Sequence, residues 1–150
     1  MTAISKDEIK PGLVVHLDTT EVRTQGGSLT NAELLPAQDR AVTGPHQFLV
    51  VSVDDVSQSC LAVPLFSNKT SGNRALARKK MSGSYPEWIN GHYHFSQWQH
   101  WRIPLDAFVV ASVGELSQKE DRCTYAASDQ AALESIANWA NKNRAPFRAP

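Results

Sequence analysis
Apolar residues are densest between Gly44 and Ser67, GPHQFLVVSVDDVSQSCLAVPLFS. Two apolar runs, Gln47 to Val53 and Ser59 to Phe66, flank the polar connector Asp54-Asp55-Val56-Ser57-Gln58. Runs of this length, rich in Val, Leu and Phe, predict two adjacent buried antiparallel strands. The start of one and the end of the other then share an edge of the sheet, which brings His46 towards Ser67, Asn68 and Lys69. Ahead of this hairpin, Lys10-Pro11-Gly12 is a turn signal leading into a strand over Leu13 to Asp18. Thr19 to Thr43 shows little periodicity and carries Gly26-Gly27 and Pro36, which predicts a long loop with room for one helical turn at Asn31 to Leu35.

Downstream, Ser67 to Arg74 is turn-rich and runs into Ala75-Leu76-Ala77-Arg78-Lys79-Lys80. Lys69, Arg74, Arg78, Lys79 and Lys80 form one basic segment without an acidic interruption. Such a segment suits phosphate, and equally a solvated surface turn. His92 to Arg102 alternates histidines with aromatic residues, and a continuous strand would set His92, His94, Ser96, Trp98 and His100 on one face. A bulge at Ser96-Gln97 would reset that phase. His92-x-His94 invites a metal, but no carboxylate or third ligand follows at a characteristic spacing. Imidazoles packed in an aromatic strand are the simpler reading of this pair, with a histidine-based metal enzyme kept as a third functional reading. Pro104 to Val113 predicts a further strand. Leu133, Ile136, Ala137 and Ala140 recur at helical spacing, so Asp129 to Lys142 predicts an amphipathic helix with Ser128 as its N-cap, followed by a frayed tail from Asn143 to Pro150.

The 150 residues suit one domain, and 15 basic against 15 acidic residues leave no general attraction to polyanions, so any nucleic-acid affinity must come from local patches. Two cysteines are too few for a disulfide scaffold, and Cys60 lies within a core strand pattern, as a buried thiol would. No apolar stretch approaches the ~20 residues that span a bilayer, and Met1 to Lys10 is polar, so the expectation is a soluble cytoplasmic protein.

Gly-Pro-His-Gln-Phe-Leu-Val-Val-Ser at 44 to 52, followed by Leu-Ala-Val-Pro-Leu-Phe-Ser at 61 to 67, resembles the core of the PemK/MazF/Kid toxin family. Its members pair a Gly-x-Arg-Pro-x-Val-Leu-Val-Ser strand with a Val-Pro-Ile-Thr-Ser strand. Lys10-Pro11-Gly12-Leu13-Val14-Val15-His16-Leu17-Asp18 is similar to the family's opening strand. The resemblance implies a mainly-β single domain over residues 1–150, a small antiparallel SH3-like barrel with a C-terminal α-helix. It implies metal-independent endoribonuclease activity on single-stranded RNA without a cofactor, and as partners an antitoxin protein and a second copy in a homodimer.

Metal-independent RNA cleavage needs a base for the 2′-hydroxyl, an acid for the leaving 5′-oxygen, and groups that stabilise the phosphorane charge. In the resembled family an Arg opening the second strand and a Thr or Ser closing the third supply part of this set. Here His46 falls on the Arg, Gln47 on the following Pro, Phe66 on the Thr and Ser67 on the neighbouring Ser. Phe66 cannot replace a hydroxyl donor, whereas His46 can act as acid or base near neutral pH. His100 or Arg102 falls near the family's later acid/base pair. The repaired catalytic set is therefore His46, Ser67, His100 and Arg102, with Lys69, Arg74, Arg78, Lys79 and Lys80 on the RNA phosphates. The competing reading is a non-catalytic SH3-like barrel that binds nucleic acid or a protein partner.

Overall fold
The two long apolar runs form strands β3 (Pro45–Asp54) and β4 (Ser59–Phe66), paired antiparallel from Phe48 with Pro64 to Asp54 with Ser59. Their turn is closed by the Asp54 carboxylate, whose Oδ1 accepts from the Val56 amide at 2.9 Å, and by Gln58 at φ 52°. In this computed structural model, residues 4–29, 44–67, 73–83, 86–96, 99–112 and 123–140 are described. The sequence-predicted turn at 31–35, Lys69 and the tail at 143–150 lie outside them.

Strand β1 (Val14–Asp18) takes the outer edge of β3, with Val14 opposite Leu49 and Leu17 opposite His46. The outer edge of β4 is divided. One strand (Trp101–Pro104) pairs with Ser59 to Ala62, and another (His94–Ser96) pairs with Leu65 and Phe66. Pro64, which has no N–H for a ladder, stands where one partner gives way to the next. Three short strands precede these two in the chain: β2 (Ser28–Leu29), β5 (Asn73–Ala75) and β6 (Met81–Ser82). His94–Ser96 is therefore β7 and Trp101–Pro104 is β8. The main sheet runs β1-β3-β4-β7-β5, with β2 joined to β8, and β6 pairs separately with β9 (Thr124–Tyr125). The fold is mainly antiparallel β with a few helices. Among the described residues its sheets are open, and no closed barrel is formed.

Both faces of the sheet are buried, which is why β3 and β4 read as nearly continuous apolar runs. On the first face Val15, Leu17, Phe48, Val50, Ala62, Trp101 and Ile103 pack together; on the second, Val14, Leu49, Val51, Val63, Leu65 and Phe95 do. The register shifts between Val50 and Ser52. This bulge returns Val53 to the first face, where it sits opposite Cys60.

Helices cover both faces, and two of them correct the sequence reading. Thr19–Thr24, expected as the start of the long loop, is helix α1, begun by the Asp18 carboxylate accepting from the Thr20 amide at 2.9 Å. Gly27 follows within contact of it: a Cβ there would stand 2.4 Å from Val22 Cγ1, so this turn requires glycine. The expected strand over Pro104 to Val113 is instead the end of β8 followed by helix α3 (Leu105–Ala111). Leu105, Phe108 and Ala111 recur every three residues and pack on the first face, a helical spacing hidden by the local density of apolar residues. Between them in the chain, α2 (Pro86–Ile89) buries Trp88 on the second face. The C-terminal helix α4 (Gln130–Ala140) covers that face with Leu133 and Ile136. Asp129, rather than Ser128, caps α4: its Oδ1 accepts from the Ala132 amide at 3.1 Å, while Oδ2 receives Lys80 Nζ at 2.7 Å. Among the described residues no helix is long and apolar enough to cross a membrane.

The Phe48 and Trp101 rings meet edge to face at 5.8 Å with neither exposed. Replacing Phe48 by Ala is expected to cost about 3–5 kcal/mol in chemical denaturation. Val56, 96% exposed at the hairpin tip, should tolerate serine within about 0.5 kcal/mol.

Candidate functional site
Strand register places one row of side chains across five strands. Leu17 lies opposite His46, Phe66 opposite His94, and His94 opposite Ala75. Continuing the β3–β4 register by two residues sets His46 beside Phe66, and their rings meet at 5.2 Å and 63°. Directly paired residues share a face. The row therefore reads Leu17, His46, Phe66, His94, Ala75 on the first face, with two imidazoles flanking one benzyl ring. Phe48 stands behind it, 6.4 Å from the His46 ring. Ser67 follows Phe66 and is exposed at the same edge.

His46 is half-buried. Burial holds its imidazole below the ordinary 6.5; a hydrogen bond to the Leu65 carbonyl partly offsets this, and the nearby His16 adds to the fall. Nε2 is buried without a hydrogen-bond partner among the described residues, leaving Nδ1 for Leu65. A proton on Nδ1 puts the lone pair on Nε2, the form a general base needs at neutral pH. His94 is 8% exposed, and its Nδ1 likewise lacks a partner among the described residues. Its local sequence pattern points only to a ring packed in an aromatic strand. Its place beside Phe66 depends on β7 pairing with the last two residues of β4, a long-range register that no local spacing encodes.

The other expected catalytic residues stand apart. Arg102 pairs with Leu61, five residues along β4 from the Phe66 that stands beside His46, so it lies about 17 Å further along the sheet at ~3.3 Å per residue. It also alternates with Trp101 and Ile103 of the first face, so it points to the second, where its Nη1 donates to Ser59 Oγ at 3.3 Å. His100 is 2% exposed at the start of β8. Strand spacings put its backbone roughly 14 Å from that of His46. The structure thus joins His46 and Ser67 at one edge and brings neither His100 nor Arg102 to them.

The basic segment divides in the same way. Arg78 donates to the Ile89 carbonyl at 3.1 Å and lies 3.3 Å from His92 Nε2. Lys80 is held by Asp129, whose hydrogen bond raises the lysine pKa as the lysine lowers that of the carboxyl. Lys79 is exposed, and Arg74 lies over the Trp139 ring, 3.6 Å from its centroid. Arg74 pairs with Phe95 of the second face, opposite to the histidine row. Among the described residues no three His, Cys, Asp or Glu side chains gather as a metal site would require. No protein-family model and no curated protein matches the chain.

Because burial disfavours protonated His46 in the folded state, the unfolded chain takes up that proton at higher pH. Stability is therefore fully present above about 6.5 and falls as pH drops from there through the folded pKa. An NMR titration should place the His46 midpoint below 6.5, and His46→Gln should flatten the stability slope in that window. A midpoint above 6.5 would contradict the buried neutral imidazole.

Proposed function
We propose that this chain binds single-stranded RNA at the His46 edge and cleaves its phosphodiester without a metal ion. His46 Nε2 takes the 2′-hydroxyl proton. The observation that carries this reading is the half-buried imidazole whose Nε2 has no hydrogen-bond partner among the described residues, held below its ordinary pKa at the end of the central hairpin. A base of this kind is neutral at physiological pH and is ready to accept a proton. Ser67 supplies a hydroxyl at the same edge, while Lys79 offers charge to neighbouring phosphates. Arg78 and Lys80 also have partners within the protein, the Ile89 carbonyl of α2 and the Asp129 cap of α4.

The corresponding fold reading is a small SH3-like barrel of the PemK/MazF type, supported by the chain order and pairing of β1, β3 and β4. On the same resemblance the protein acts in the cytoplasm as a homodimeric toxin neutralised by an antitoxin protein. A second reading, a non-catalytic barrel that only binds RNA, is favoured by Phe66 at the hydroxyl position and by the distance of Arg102 from His46.

Incubation with a long single-stranded RNA in EDTA separates the two. Cleavage by the parent, lost in His46→Ala prepared identically, is the outcome expected of the enzyme. Equal cleavage by both would exclude His46 as the base. Salt-dependent retardation of the RNA without cleavage would establish the binding module instead. In either case Lys79→Ala should lower the slope of log affinity against log salt by about one phosphate contact.

A further inference from the structure
His46 alone cannot complete the reaction, because the leaving 5′-oxygen needs a proton from the opposite side of phosphorus. Neither His100 nor Arg102 reaches that position. Phe66 has an imidazole on each side, and the second one belongs to a residue without an assigned role. His94 is paired directly with Phe66 and lies on the face that His46 shares. Its Nδ1 is buried with no hydrogen-bond partner among the described residues. An unsatisfied buried nitrogen has a cost, and its persistence in a strand calls for a role.

We infer that His94 is the general acid of this site, acting with His46 across Phe66. This rests on the RNA-cleavage reading above. His46 and His94 are two strands apart, about 10 Å at the backbone. An in-line phosphoryl transfer flanked by two hydrogen bonds of about 2.8 Å holds its acid and base nitrogens at most about 9 Å apart, a length comparable with the spacing of the two strands. The phosphodiester enters at the end of the row where Ser67 is exposed, beside the Phe66 ring, which packs against the first core and separates acid from base. The 2′-oxygen attacks phosphorus as its proton passes to His46 Nε2. The bond from phosphorus to the 5′-oxygen breaks as His94 donates its proton to that oxygen. The products are a 2′,3′-cyclic phosphate and a free 5′-hydroxyl, with no oxidant, metal or co-reactant required.

The test compares the parent, His46→Gln and His94→Gln on RNA and on a uridine 3′-aryl phosphate, whose leaving group departs without protonation. On RNA, His94→Gln should lose about 10²–10⁴-fold in kcat/KM, together with the alkaline limb of the bell-shaped pH profile. On the aryl ester it should regain nearly parental activity, whereas His46→Gln should stay impaired on both substrates. Recovery on the aryl ester also shows that the variant is folded, a result that loss of packing would not give. If the parent cuts both substrates and His94→Gln keeps the parental rate and profile on RNA, or is equally impaired on both, His94 is not the acid and the cleavage reading survives without it. A parent that cuts neither substrate overturns both.

Discussion

The rest of the molecule depends on β4 being hydrogen-bonded along both edges while both of its faces are buried. One edge pairs with β3 from Ser59 to Pro64. The other is shared, β8 taking Ser59 to Ala62 and β7 taking Leu65 and Phe66. A strand so enclosed cannot slip, because a shift of one residue would exchange the side chains of the two cores. Register therefore passes without ambiguity from β1 through β3 and β4 to β7 and β5. The alignment of Leu17, His46, Phe66, His94 and Ala75 follows from it. Pro64 fits this arrangement because it occupies the point where the second edge changes partner.

The two faces also separate the chemistry. The histidine row lies at the Ser67 end of the first face, whose interior is sealed by Phe48, Trp101 and the helices α1 and α3. Arg74, stacked on Trp139, and Arg102, bound to Ser59, belong to the second. Two of the cations that looked available in the sequence have structural partners: Lys80 ties the β5–β6 connection to the cap of α4, and Arg78 ties it to α2. A cluster of positive charge in a sequence is thus a poor guide to free charge on the surface. Each residue's partner decides, and those partners lie far along the chain.

What was legible in the sequence was what local pattern carries. The β3–β4 hairpin, the opening strand and the C-terminal helix follow from apolar runs and from helical spacing at Leu133, Ile136 and Ala137. The placement of His46 and Ser67 at one edge follows from antiparallel geometry alone. Helix α3 was misread because Leu105 to Val110 is apolar at nearly every position, so period 2 and period 3.6 fit it about equally, and valines tipped the reading towards a strand. Helix α1 was missed because six residues with one buried valine leave too short a signal, although Asp18 before Thr19-Thr20 was a usable N-cap cue. Splitting of His92 to Arg102 into β7 and β8 depends on how β4 shares its edge, so the distance of His100 from His46, and the nearness of His94, lay beyond local reasoning.

In the mechanism proposed above, His46 and His94 face the same bound phosphodiester. This arrangement is tested most directly by following the imidazole ¹⁵N signals while titrating in a 2′-deoxy oligonucleotide, which binds but lacks the attacking hydroxyl. His46 and His94 are expected to shift together at one binding midpoint, with His92 and His100 little changed. Shifts confined to the backbone around Arg74 and Lys79, with both imidazoles silent, would contradict it and move the nucleic-acid site to the other face of the sheet.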